Sequence, residues 1–173
     1  MTRAARAWLV AAAVVGVTAA ALAQETPVAR DPEGAARQYR VARRLVAEGS
    51  PDAAASLARV YEMDPKGALA DDALVEQALL LPVATWPGEL GRISAPEKER
   101  AVALLDKVTD GLPGGDRANE AKVLRDLLRL EPLPGHDPAR ARLDLLAVAS
   151  GATDERWRAG ARFGTAWIDE RTG

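Results

Sequence analysis

The 173-residue chain contains no cysteine and only one histidine, His136. No disulfide can staple it, so the fold must hold by packing alone. No cysteine exists to carry a lipid, and the usual His/Cys zinc site cannot be built. Aromatic residues make up only 4% of the chain. Strands draw on β-branched and aromatic side chains, so this alanine-rich sequence predicts closely packed helices and not a sheet sandwich. Gly114-Gly115-Asp116 lacks the lysine and preceding strand of a phosphate-binding loop. No Gly-x-Ser-x-Gly elbow surrounds Ser50, Ser56, Ser94 or Ser150. His136 precedes Asp137 and Pro138, a helix cap and first helical residue, and reads as a loop residue without catalytic partners. No catalytic residue, metal ligand or cofactor is expected.

Residues 1–23 carry Arg3 and Arg6 ahead of an apolar run from Ala7 to Ala23. This is the pattern of an export signal, with small residues at Ala21 and Ala23 for cleavage before Gln24. The run is shorter and less apolar than the roughly 20 residues that a spanning anchor prefers. A periplasmic or secreted location follows as the expectation, with membrane contact only during export. Cleavage leaves 21 basic against 25 acidic residues, a charge of about −4, which argues against bulk nucleic-acid binding. Residues 24–32 have no apolar period and read as a flexible leader. Residues 33–173 suffice for one helical domain with a continuous core.

Within that domain the chain repeats itself. A shift of 48 residues places Ala53 on Ala101, Leu57 on Leu105, Val60 on Val108, Pro65 on Pro113, Gly67 on Gly115, Ala70 on Ala118, Ala73 on Ala121 and Val75 on Val123. A weaker third copy lies 40 residues further on, with Ala141, Leu145, Val148 and Ala161. Each copy reads as a helix, a Pro/Gly turn and a second helix with small residues for close packing. Removing the inserts at 82–94 and 132–137 leaves a core period near the 34 residues of tetratricopeptide units.

The motif GxxxxAxxxLxxVxxxxPxGxxAxxA resembles the degenerate tetratricopeptide repeats of exported bacterial proteins, such as the outer-membrane assembly lipoproteins. The likeness covers residues 35–131 best. It implies an all-α fold of antiparallel helix pairs stacked as a short right-handed solenoid. The function implied is an interaction scaffold without catalysis, with a protein partner held along a groove on the first helix of each unit. The alternative is a helical module of a larger cell-envelope or cell-wall enzyme or assembly complex. For an enzyme in its own right, Glu76 between apolar neighbours is the least implausible acid or base.

Helices are expected between breaks at 49–50, 65–67, 82–94, 111–115, 132–137 and 151–153. Ser50, Ser94 with Glu97, Asp116, Asp137 and Thr153 are the expected caps. Leu57, Val60, Leu105 and Val108 should be buried. Asp71 and Asp72 fall in a first helical turn and are echoed by Asn119-Glu120, which favours helix-dipole stabilisation over a metal or catalytic pair.

The candidate partner-binding residues are few. Arg37, Arg40 and Arg44 form a stripe opposite Ala35, Tyr39, Ala42 and Val46, and its plainest reading is a solvated face. Trp86 in the first insert reads as cover for a helix junction or as a ligand anchor. In the last helix Trp157, Gly160, Ala161, Gly164 and Ile168 share one face with Trp167 at its border. If either tryptophan faced outward, it would call for a second copy of the chain, a partner or residues beyond Gly173 to cover it.

Overall fold

In the computed structural model the described residues are 30–81, 94–130 and 137–172. Among them lie seven helices and no strand: α1 (Pro32–Ala47), α2 (Ala53–Met63), α3 (Ala70–Leu80), α4 (Ala95–Gly111), α5 (Ala118–Leu128), α6 (Pro138–Gly151) and α7 (Glu155–Thr172). Each helix whose link is described packs on its neighbour in sequence, and α5 also meets α6 and α7. The architecture is all-α and helical-repeat-like.

The 48-residue echo extends to the backbone. Both ends of α3 map onto α5 under that shift, and the end of α2 maps onto the end of α4. The turns repeat bond for bond. Gly67 N–H donates to Asp64 O at 3.0 Å, and Gly115 N–H to Leu112 O at 3.0 Å. Ala70 N–H donates to Gly67 O at 3.1 Å, and Ala118 N–H to Gly115 O at 3.2 Å. The expected core follows: Leu57, Leu105 and Leu145 are each 0% exposed, with Val60, Val108 and Val148 buried beside them. These side chains fall into three successive clusters. One joins α1, α2 and α3, a second α3, α4 and α5, and a third α5, α6 and α7. Each helix group thus shares its apolar face with the next, which is how a linear stack of repeats holds together.

Helix boundaries depart from the expected caps by one or two residues. α1 ends at a left-handed glycine, Gly49 (φ 65°). Ser50 N–H reaches back to Leu45 O at 2.9 Å and Gly49 N–H to Val46 O at 3.1 Å, the double bond of a Schellman end. Ser50 also leads into α2: its Oγ accepts the Asp52 N–H at 3.3 Å and its carbonyl the Ala53 N–H at 3.1 Å, with the regular helix starting at Ala53 and Asp52 itself making no side-chain cap. Asp116 does not cap α5 either, because the residue before the helix is Arg117. At the start of α7 the acceptor is Asp154 and not Thr153: Asp154 Oδ1 takes Arg156 N–H at 2.8 Å. Asp137 caps α6 as expected, taking Arg140 N–H at 3.0 Å, with Pro138 as first helical residue. Glu97 Oε2 accepts the Ser94 N–H at 3.2 Å at the start of α4.

Alternate helices also touch through their side chains. Tyr39 and Arg43 of α1 reach Glu76 of α3, while Arg117, just before α5, reaches Asp72. Gly164 lets α7 approach closely: a methyl there would fall 2.8 Å from Leu145 Cδ1 and 3.3 Å from Leu127 Cδ2. Between α2 and α4, the Lys107 ammonium sits 5.4 Å from the Tyr61 ring centre.

Candidate functional site

The most elaborate polar arrangement along the face shared by α1, α3 and α5 centres on Glu76. Its Oε1 accepts the Tyr39 hydroxyl at 2.9 Å and Arg43 Nη1 at 2.6 Å, and Arg117 Nη1 lies 3.8 Å away. Its Oε2 is buried without a hydrogen-bond partner. Local geometry places these groups in register. Tyr39 and Arg43 are four residues apart and share one face of α1, as do Asp72 and Glu76 on α3. Arg117 then bridges from the start of α5. It grips Glu120 through Nε and Nη2, both at 2.8 Å, and lies 3.6 Å from Asp72.

Burial sets the electrostatics of the cluster. It pushes the Tyr39 phenol up to about 12, with Arg43 opposing and Glu76 adding to the rise. Burial likewise raises the Asp72 carboxyl, which Arg117 pulls back down while Asp116, Asp71 and Glu76 add to the rise. For Arg117, burial disfavours the cation, but Glu120, Asp72 and Glu76 outweigh it and hold the guanidinium charged. Glu76 therefore sits among a hydroxyl and two guanidinium groups and not in a closed apolar groove.

Oxygens of Asp71, Asp72 and Asp116 gather within 4.8 Å of one another, a donor set of the kind hard divalent cations take. Two of the three already have protein partners. Asp71 is buried, and its Oδ2 accepts the Arg117 N–H at 3.1 Å. Asp72 faces the Arg117 guanidinium. The pair thus acts across the junction between helix pairs, as well as at the start of α3 where the dipole argument placed it.

The residues singled out from sequence are not brought together. Arg37 and Arg44 are exposed and pair along α1 with Glu33 at 3.7 Å and Glu48 at 3.8 Å. Arg40 is exposed on the same helix. Trp86 lies outside the described residues. Trp157 and Trp167 are half-buried on α7, the last helix, and both pack against the cluster of α5, α6 and α7. Arg156 covers the Trp157 ring at 4.7 Å and Arg171 the Trp167 ring at 4.5 Å. What α7 leaves exposed is Phe163, tilted against Trp167 with ring centres 6.1 Å apart.

Sequence reading missed Arg43 and Arg117 and placed Tyr39 only on the apolar face. The four-residue spacing of Tyr39 with Arg43 and of Asp72 with Glu76 was a usable signal; the pairing between helices was not. No protein-family model matches this chain, and no curated protein or solved structure matches it. No helix among the described residues is long and apolar enough to cross a membrane.

Proposed function

We propose that this chain is an exported, non-catalytic interaction scaffold, a short tetratricopeptide-like right-handed stack that holds a protein partner along the face shared by α1, α3 and α5. The observation that carries this reading is the run of charged and hydrogen-bonding groups from Tyr39 and Arg43 through Glu76 and Asp72 to Arg117 and Glu120. These side chains belong to alternate helices, so an extended segment laid across them meets one polar row per helix pair, as peptide grooves of stacked helices require. The row runs from α1, ahead of the first 48-residue unit, to the second helix of each unit, where the motif had pointed to the first. Arg43, 60% exposed at the side chain, gives the row an accessible cation, and Arg40 lies on the same helix.

Affinity capture with residues 24–173 as bait tests this. A partner retained by the native chain and by Leu143→Glu on the exposed side of α6, but lost with Arg40→Glu/Arg43→Glu, is the expected outcome. Equal retention by the Arg40→Glu/Arg43→Glu variant would overturn the assignment of this face.

A further inference from the structure

The packing of α5 against α4 and α6 encloses more carboxylates than guanidinium groups. Buried Arg125 donates from Nε to Asp126 Oδ1 at 2.8 Å, from Nη2 to Asp144 Oδ2 at 2.6 Å and from Nη1 to the Thr109 hydroxyl at 2.8 Å. One side chain thereby ties α5 to both neighbours. Arg129, just after α5, grips Asp106 of α4 at 2.8 Å, and Asp106 also lies 3.6 Å from Arg125. Asp106, Asp126 and Asp144 therefore confront Arg125 and Arg129, three anions against two cations. Arg140, the next cation on α6, stands at the rim with its side chain 72% exposed and meets Asp144 at 3.4 Å. The buried residues of α7 are Gly160, Ala161, Gly164, Thr165 and Ile168, none of them titratable; half-buried Arg158 pairs with Glu155 of its own helix, and Asp169 is held at the surface by Arg142.

Asp126 is the worst placed of the three anions. It is 0% exposed, and its Oδ2 is buried with no hydrogen-bond partner. A buried carboxylate with one oxygen unpaired and a surplus negative charge around it is costly, and a proton is the simplest relief. We propose that Asp126 is an acid-set latch: proton uptake by its carboxyl evens the charge between α5 and α6 and tightens the seating of the α6–α7 pair on the remaining helices. The proton goes to Oδ2, leaving Oδ1 to accept from Arg125.

The direction follows from linkage. Burial, with Asp144 adding and Arg125 opposing, pushes this carboxyl up to about 6. An unfolded Asp titrates near 3.9. The folded chain therefore holds the proton more tightly, and the penalty present above about pH 6 is relieved as pH falls toward 4. This inference does not depend on the partner-binding reading, because it concerns how the helices seat on one another.

Amide hydrogen exchange on the purified chain at pH 5 and pH 7.5, corrected for intrinsic exchange, tests it. Protection in α6 and α7 should rise by roughly tenfold on going to pH 5, while α1–α3 change little. Asp126→Asn should show the protected level at both pH values. Asp144→Asn, which balances the charges without touching Asp126, should move the step to lower pH. The proposal is overturned by a native chain without the step, by a step equally large in α1–α3, or by a step persisting in Asp126→Asn. If Asp126→Asn does not fold, an unmoved step in Asp144→Asn overturns it and a moved one supports it.

Discussion

Asp71 of α3 accepts the backbone N–H of Arg117 at 3.1 Å, so the first helix pair caps the start of α5 in the second. An N–H orphaned at a helix start normally finds a local side chain, and here it is satisfied from 46 positions away. The carboxylate lies so close to Gly115 that a Cβ there would overlap Asp71 Oδ2, whereas a Cβ at Gly114 would meet nothing within 4 Å.

Asp71→Ala is therefore expected to lower stability by about 1–3 kcal/mol, the cost of leaving a partly buried donor unsatisfied. Gly115→Ala should also destabilise, and Gly114→Ala should stay close to native. Urea unfolding of the three variants checks this, and equal midpoints for Gly114→Ala and Gly115→Ala would remove the proposed crowding.

Leu105 is 0% exposed at the centre of the middle cluster, and Leu143 on α6 is 63% exposed. Truncating Leu105 to alanine should cost about 2–5 kcal/mol through lost burial and the cavity left behind. Leu143→Ala should change stability by about 0.5 kcal/mol or less. Thermal unfolding separates the two, and a small loss for Leu105→Ala would mean that the repeat register is wrong.

The Tyr39 phenol, raised to about 12, should resist alkaline titration while the chain is folded. In a Tyr61→Phe background the phenolate absorbance near 295 nm should stay low through pH 11. An unfolded tyrosine titrates near 10. The folded chain thus binds the proton more tightly, and the stability linked to it is lost as pH rises from about 10 to about 12. Early ionisation in the folded protein would contradict the buried contact with Glu76.

Residues 1–23 should direct export, and the amino-terminal residue of the exported protein should be Gln24. Mass spectrometry of the chain recovered from a bacterial periplasm or medium measures it. Recovery of intact Met1 in the membrane fraction would instead identify a retained anchor.

The sequence by itself determined the helices, their echo at 48 residues and the apolar set that fills the core. Ala53, Leu57 and Val60, with Ala101, Leu105 and Val108, are spaced for one helix face, and burying that face is a local consequence of helical geometry. Polar pairing obeyed no such period. Ser50 read as the start of α2, and its Oγ does accept the Asp52 N–H there while its own N–H closes α1; Asp116 lost the start of α5 to a carboxylate of α3, because side-chain acceptors from two elements compete for the same backbone donor. Periodicity could assign Tyr39 and Glu76 to faces, but it could not bring one against the other across 37 residues. The same holds for Arg125, whose carboxylate partners Asp126 and Asp144 come from two helices and leave one oxygen of Asp126 unpaired. Periodicity fixes which side of a helix is buried, whereas which charges meet depends on the distance and rotation between helices, and only the tertiary packing decided those.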